Sequence, residues 1–207
     1  MLLGLDVGGT FTDAVIIDGH RVVATAKRRT TKDNLMNGIG EALDAVLEGY
    51  DTSNIEQVTL STTVVTNTIV EEKEQVVDLY VVTGPGRNVD DIFPVKPIYL
   101  QGYTDHRGIV VEHTPADAVR GIANMVQAHS GTDLAAVSAK FGVRNPQEEL
   151  SITEELKNTY HAISNGSLLS GSLNFPRRTI SAYFNSAVTP VFTVFKKNVE
   201  DALSARN

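Results

Sequence analysis

The chain has 207 residues, a length between one and two average domains, and its 42% hydrophobic and 21% charged residues are typical of an ordinary globular protein. A formal net charge of -7 argues against binding of duplex nucleic acid, which needs a basic surface. Cysteine is absent, which excludes disulfides, thiolate nucleophiles and cysteine-bound metals.

No segment of the sequence is typical of export or of a membrane span. The N-terminal apolar stretch has no basic segment before it and is interrupted by Asp6. The longest uncharged run, 179–195, contains Thr, Ser, Asn and Pro and is too short to cross a bilayer. We therefore expect a soluble, cytoplasmic protein with no nucleic-acid partner and no membrane partner.

The first half of the chain predicts a β-meander followed by alternating helices and strands. Residues 2–26 have the pattern of three short strands, joined at Gly8-Gly9 and at the tight-turn dipeptide Asp18-Gly19. Asp33 is a suitable N-cap for a helix over 34–48, in which apolar residues recur at helical spacing. The next predicted elements are a strand at 58–60, a helix over 64–72 and a strand over 76–82.

The second half predicts further alternation and a long final helix. The expected elements are two extended pieces within 98–112 around a hairpin turn at 105–108, a helix from 114, a strand over 134–141, a helix over 145–159 and an extended piece over 167–170. Apolar spacing near the C-terminus predicts about thirty residues of helix, roughly 45 Å long, with a kink at Pro190. The predicted class is α/β, with a mixed sheet opened by the meander and flanked by helices.

The clearest chemical signal is the segment Asp6-Val7-Gly8-Gly9-Thr10-Phe11-Thr12-Asp13. Glycines let backbone N–H groups approach an anion, and the hydroxyls of Thr10 and Thr12 add donors. Because Asp6 would repel a phosphate, its expected partner is Mg²⁺, bound through water. The alternative is a hairpin whose glycines only turn the chain, but an unpaired carboxylate in an apolar strand is costly.

A second polar cluster follows the strand at 58–60 and runs Ser61-Thr62-Thr63-Val64-Val65-Thr66-Asn67-Thr68. Open α/β sheets place ligands at the carboxyl ends of their strands, and helix N-termini favour anions. N-capping explains one hydroxyl, Ser61 or Thr62, but not Thr63, Thr66 and Asn67. We therefore predict that this cluster lines a ligand cleft. Competing motifs are absent, since the chain has no GxxxxGK[ST] and no complete dinucleotide fingerprint.

The two segments together resemble the N-terminal region of the hydantoinase A/oxoprolinase family. Phe141–Pro146 and Phe175–Tyr183 resemble later segments of the family, so the resemblance covers nearly the whole chain. The family in turn is similar to the actin, sugar kinase and heat-shock ATPase superfamily, which binds ATP between two ribonuclease-H-like lobes. The fold expected from this resemblance is a ribonuclease-H-like, actin-like ATPase lobe.

The resemblance also implies a site and a domain arrangement. Asp6 would hold Mg²⁺ through water, and Asp6 and Asp13 are the candidate catalytic carboxylates; Asp13 would either support the metal site from behind Asp6 or act as a base. The residues expected to bind ATP are Gly8, Gly9, Thr10, Phe11 and Thr12, and those expected to line the cleft are Ser61, Thr62, Thr63, Thr66 and Asn67. Residues 1–83 would form the phosphate-loop core and 84–207 the rest of the same lobe. Because family members continue into a second lobe, we expect a further lobe or a partner subunit to complete the ATP cleft, and an oligomer.

The function expected from the resemblance is the phosphate-binding lobe of an ATP-dependent hydrolase acting on a small cyclic amide. One alternative is a small-molecule kinase of the same superfamily, which would yield a phosphorylated substrate rather than a ring-opened acid. Another is a non-catalytic, actin-like binding module. Two features stay open: Glu71 faces either the cleft or solvent, and Arg177-Arg178 is electrostatically misplaced near a helix N-terminus.

Overall fold

The computed structural model describes residues 1–30, 35–86 and 90–206. Contacts between residues divide the chain into a first unit, Met1–Lys73 with Pro190–Asn207, and a second unit, Glu74–Thr189. The division at residue 83, between a phosphate-loop core and the rest of the same lobe, stays a prediction. Asp33, the predicted N-cap, lies outside the described residues.

The first unit is built on a four-stranded mixed sheet. Its elements are β1 (Leu2–Val7), β2 (Phe11–Asp18), β3 (Arg21–Arg29), α1 (Leu35–Leu47), β4 (Gln57–Thr62), α2 (Val64–Val70) and the C-terminal part of α6 (Phe175–Ser204). The strand order is β3-β2-β1-β4, with β1 to β3 antiparallel and β4 parallel to β1. The meander and the mixed sheet predicted from the sequence are thus confirmed.

One face of this sheet is covered and the other is open. In β1 the residues Leu3, Leu5 and Val7 are at most 3% exposed and belong to one apolar core with α1 and the end of α6. Burial of side chains of this size contributes about 1.5–3 kcal/mol each. Because successive side chains of a strand point to opposite faces, Gly4 and Asp6 lie on the other face.

Helix α1 forms because its apolar residues recur on one side. Ile39, Ala42, Leu43 and Val46 follow the i, i+3, i+4, i+7 pattern, and all four are at most 1% exposed. The helix is followed by Gly49, whose φ of 81° lies in the left-handed region that favours glycine. The spacing visible in the sequence therefore places this helix correctly against the sheet.

The second unit contains a parallel sheet in the order β10-β9-β5-β6. Its elements are β5 (Asp78–Val82), β6 (Ile98–Tyr99), β7 (Tyr103–Thr104), β8 (Val110–Glu112), α3 (Ala116–Ser130), β9 (Leu134–Ala139), α4 (Gln147–Leu156), β10 (Ala162–Asn165), α5 (Gly166–Leu169) and the N-terminal part of α6. Every residue of β5 and β9 is buried, as expected for parallel strands covered on both faces.

One prediction of local structure was wrong and one strand was missed, both near the end of the second unit. Residues 167–170 were expected to be extended, but Gly166–Leu169 form the short helix α5. The strand Ala162–Asn165 before it was not predicted, because two of its four residues are polar and its pairing with β9 comes from distant sequence. The final helix has the predicted 30 residues and includes Pro190; the kink there stays a prediction. No helix of the described part of the chain is long and apolar enough to cross a membrane.

Candidate functional site

The two polar segments singled out in the sequence meet at one edge of the first unit's sheet. Strand β4 runs parallel to β1, with Asp6 opposite Ser61 and Val7 opposite Thr62. The carboxyl ends of both strands therefore lie side by side, at the position where sheets of this class bind ligands. The glycine loop follows β1, and helix α2 follows β4.

A row of four side chains crosses the open face of the sheet. Lys27 lies opposite Asp13, Asp13 opposite Asp6, and Asp6 opposite Ser61, so that the row runs through all four strands. The ammonium of Lys27 donates to both carboxylate oxygens of Asp13, at 2.8 and 2.7 Å. We call Lys27, Asp13, Asp6 and Ser61 the cross-strand row.

The charges in the cross-strand row leave one carboxylate available. Like charges directly opposite each other in a sheet repel, so Asp6 and Asp13 would destabilise the meander if both were bare. Lys27 offsets the charge of Asp13. Asp6 is exposed, and its side chain has no hydrogen-bond or ion-pair partner among the described residues. The row thus presents a single unpaired carboxylate at the end of β1.

A depression of about 500 Å³ lies beside this row, and Gly4 forms part of its floor. A Cβ at Gly4 would lie 2.9 Å from Cγ1 of Val15, which is too close for any larger residue without a shift. The depression is also lined by Thr25 and Thr59. Both carboxylates therefore face an open, partly hydroxylated surface.

The glycine loop is tight because its neighbours approach closely. The N–H of Gly8 donates to the carbonyl of Phe11 at 3.0 Å and closes the hairpin. A Cβ at Gly9 would lie 3.2 Å from Nδ2 of Asn67. Neither Gly8 nor Gly9 has a φ in the left-handed region, so close approach rather than backbone conformation favours glycine here.

A second cavity, of about 290 Å³, lies where the glycine loop meets α2. Its polar lining residues are Thr30, Thr62, Thr63, Asn67, Thr68, Glu71 and Lys73. Glu71, whose orientation the sequence left open, lies at this cavity, and Lys73 Nζ is 2.5 Å from its carboxylate. The amide of Asn67 donates to Oγ1 of Thr63 at 3.2 Å and so holds the threonine beside the loop.

Two of the predicted hydroxyls have structural partners. Thr62 Oγ1 donates to the carbonyl of Val7 at 3.1 Å and accepts from the N–H of Val64 at 3.2 Å, so it ties β4 to β1 and to the first residue of α2. The N-cap itself is Thr63, not the predicted Ser61 or Thr62, and its side chain makes no capping hydrogen bond. Thr12 is fully buried, and its hydroxyl pairs with that of Thr30 at 3.0 Å. These two side chains hold the loop rather than project from it.

The remaining predicted residues are more exposed. The carbonyl of Thr10 accepts from the N–H of Thr30 at 2.9 Å, while its side chain is exposed. Phe11 is 39% exposed, and Lys27 Nζ lies 4.9 Å from its ring centroid. Thr66 is exposed and lines neither cavity. The structure therefore brings most, but not all, of the predicted residues to one edge of the sheet.

Sequence reasoning missed Lys27 and Lys73. No motif marks either lysine, since Lys27 belongs to a basic run in β3 and Lys73 to a mixed-charge run after α2. Regarding metals, no group of three or more His, Cys, Asp or Glu side chains suited to an ion occurs within the described ranges. A divalent cation at this edge would be bound by the carboxylate of Asp6 and by water or ligand oxygens, with Asp13 as the next carboxylate of the cross-strand row.

Comparison with known proteins identifies the family. The family model described as the hydantoinase/oxoprolinase N-terminal region matches residues 2–160. No curated protein matches the chain. Two solved structures share its fold over 100% of its length: nucleotide-free acetone carboxylase, with a TM-score of 0.75 and 18% identity, and the ATP-dependent caprolactamase of Pseudomonas jessenii, with a TM-score of 0.71 and 19% identity.

The chain spans about a third of the length of these two proteins, since it covers 34% of each. The likeness confirms the predicted α/β fold with its mixed sheet. Together with the family match over residues 2–160, it shows that the chain belongs to the hydantoinase/oxoprolinase family, of which it has the N-terminal region.

Proposed function

We propose that the first unit binds the phosphates of ATP and that it serves an enzyme which uses ATP to hydrolyse a small cyclic amide. The observation that carries this proposal is the unpaired carboxylate of Asp6 directly before the glycine loop. The names of the two similar structures support the use of ATP, and the family name supports a cyclic amide as substrate.

The loop offers donors for an anion. No described residue accepts a hydrogen bond from the N–H of Gly9 or of Thr10, so both amides are available to a ligand. Successive amides in a turn form a concave site that favours phosphate oxygens. Because Asn67 packs against Gly9, the loop is held in place and does not have to be ordered by the ligand.

The residues present fit a magnesium ion. Mg²⁺ keeps several waters and is bound through one or two carboxylates together with substrate phosphates, which is what Asp6 and the adjacent loop offer. When bound, it would offset the negative charge of the phosphates. Lys27 leaves Asp6 as the stronger ligand because it neutralises Asp13. In this proposal a further lobe or a partner subunit supplies the opposing contacts and excludes water.

The test uses the full chain and a residue-specific readout. Mg·ATP is titrated into ¹⁵N-labelled protein, and the amide shifts of Gly8, Gly9 and Thr10 are followed with and without EDTA. Asp6→Asn should weaken the magnesium-dependent binding at least tenfold. Asp18→Asn is the matched control, because it makes the same change in the same sheet at an exposed turn where Asn-Gly is equally favourable.

Equal magnesium-dependent binding by wild type and Asp6→Asn would refute the phosphate-loop assignment. Loop shifts without any dependence on magnesium would refute the metal role alone. In an enzyme that carries this region, the products separate the remaining functions. A ring-opened acid supports the hydrolase, a stable phosphorylated substrate supports a kinase, and binding without turnover supports an assembly module.

A further inference from the structure

The second unit has a topological switch point of its own. Strand β5 pairs with β6 on one side and with β9 on the other, and all of these pairs are parallel. After β5 the polypeptide forms β6 on one side of β5, and it later returns to form β9 and β10 on the other side. In open parallel sheets, ligands bind in the crevice at the carboxyl ends of the strands on either side of such a point.

A cavity of about 350 Å³ lies at this place. Thr83, Pro85 and Gly86 line it from the segment after β5, and Lys140 and Phe141 line it from the segment after β9. Its third side is formed by residues 173–176, around the start of α6. A cavity of this size falls at the lower end of the range for small-molecule sites, about 300–1,000 Å³.

Among the lining residues that the structure describes, Lys140 is the one with a charged side chain. Its Nζ would lie 3.4 Å from a Cβ built at Gly86, so the ammonium sits close above the glycine backbone. Nζ is also 5.6 Å from the ring centroid of Phe141. Of the carboxylates whose side chains the structure describes, none lies within ion-pair distance of Lys140. A half-buried cation without a counter-ion favours an anionic ligand.

A buried arginine holds two walls of the cavity together. Arg178 is 1% exposed, and its guanidinium donates to the carbonyl of Ala139 at 2.7 Å and to that of Ser172 at 2.8 Å. Ala139 directly precedes Lys140, and Ser172 directly precedes the segment 173–176 that forms the third side. This arrangement explains why an arginine occupies the unfavourable position near the N-terminus of α6.

The buried charge has a compensating partner. Burial lowers the pKa of Arg178, while the carboxylate of Glu149 opposes this shift and favours the charged form. Glu149 also accepts from the N–H of Ala139 and from that of Ser167, both at 2.7 Å. Glu149 is fully buried, so its opposite charge offsets part of the cost of burying Arg178, while the two hydrogen bonds of the guanidinium fix the cavity walls.

We propose that this cavity binds a small organic carboxylate. The carboxylate group of the ligand lies at Lys140, and its apolar body lies between the aromatic rings and the prolines of the lining. Apart from Lys140, Thr83 and Asn174, the described side chains of the lining are apolar: Pro85, Phe141, Leu173, Phe175 and Pro176. The one cation of this described lining suits a monoanion, whereas a phosphate is usually held by several donors. This site lies within the second unit and does not depend on the proposed function of the first.

The test compares three probes on the full chain: pentanoate, pentanamide and inorganic phosphate. The amide shifts of Gly86, Lys140 and Phe141 are followed by NMR, together with titration calorimetry. Pentanoate should bind with a dissociation constant in the millimolar range and at least tenfold more tightly than pentanamide. Lys140→Met should remove this preference, and the matched control Lys157→Met, an exposed lysine of the same unit, should keep it.

A second variant keeps the proposal falsifiable if Lys140→Met unfolds. Leu173 is 55% exposed, so Leu173→Trp can fill the cavity without burying a charge. It should abolish pentanoate binding while the thermal melt stays unchanged. Equal binding of pentanoate and pentanamide, binding of phosphate in preference to pentanoate, or an unchanged preference in Lys140→Met would each overturn the proposal.

Discussion

The hydrogen-bond chain in the second unit predicts an unequal response to two similar substitutions. Tyr160 donates its hydroxyl proton to Oδ2 of Asp78 at 2.8 Å, and Ser130 donates to the same oxygen at 2.7 Å. The hydroxyl of Tyr80 lies 2.7 Å from that of Tyr160. Since the one proton of Tyr160 goes to Asp78, Tyr80 must be the donor in the second bond. The hydroxyl of Tyr160 is therefore in the middle of this series of hydrogen bonds, and the hydroxyl of Tyr80 is at its end.

The structure gives the size of each effect. Tyr160→Phe removes a hydrogen bond to a charged group, about 1.5–3 kcal/mol, and leaves the Tyr80 hydroxyl without an acceptor, about 1–3 kcal/mol more. Tyr80 is 0% exposed, so water cannot replace the lost partner. Tyr80→Phe removes only the outer bond and should cost about 0.5–1.5 kcal/mol. The double variant should cost less than the sum, because no hydroxyl is then left unpaired.

Urea unfolding with hydrogen exchange of residues 78–82 and 134–139 measures these free energies for the second unit. Tyr103→Phe, in the same unit and without a hydrogen bond to its hydroxyl in the described structure, is the control and should change stability by less than about 0.5 kcal/mol. Equal costs for Tyr80→Phe and Tyr160→Phe, or strictly additive costs in the double variant, would refute the proposed order of donors.

Three further predictions use the same stability and binding measurements. Gly84→Ala should destabilise the second unit by at least about 2 kcal/mol more than Gly131→Ala. Both glycines have positive φ, but only a Cβ at Gly84 would collide with the ring of Tyr103. Equal urea midpoints of the two variants would contradict this. Lys27→Met removes the ion-pair partner of Asp13, so Mn²⁺ should bind to the cross-strand row severalfold more tightly, as measured by electron paramagnetic resonance. Weaker binding of Mn²⁺ would show that Lys27 does not act as a counter-charge. Because burial raises the pKa of Tyr80 from 10.0 to about 12, the folded state holds a proton that the unfolded chain releases, and the free energy of unfolding should fall as the pH rises from about 10 to 12. A smaller slope in Tyr80→Phe checks that prediction; some slope remains, because burial also raises the pKa of Tyr160 and of Tyr183.

Much of the first unit could be predicted because its residues follow simple periodicities. The apolar spacing from Ile39 to Val46 fixes the buried side of α1. For β1 the sequence misleads, because its nearly continuous apolar run is typical of a strand buried on both faces, whereas Leu2 and Asp6 are exposed on one of them. The meeting of the two polar segments follows from β4 being parallel to β1, a relation that the family resemblance implied but that periodicity does not show.

The role of Lys27 could not be predicted, and the reason is a β-bulge. Counting back from the pair Asp18 and Arg21 at the turn, regular pairing would place Ala26 opposite Asp13. A register shift near Ile16 inserts one extra residue in β3 and places Lys27 there instead. A one-residue slip exchanges the two faces of a strand, and no residue type in the sequence announces it.

The interruption of the first unit by Glu74–Thr189 has a consequence for synthesis on the ribosome. Phe195 and Val199 belong to the same apolar core as Leu3, so the strands that emerge first cannot complete their core until the end of α6 has been made. At roughly 5–20 residues per second, this delay lasts several seconds. The second unit is continuous in sequence and can fold during that time. The apolar face of β1 is therefore the surface of the nascent chain that most needs protection by a chaperone.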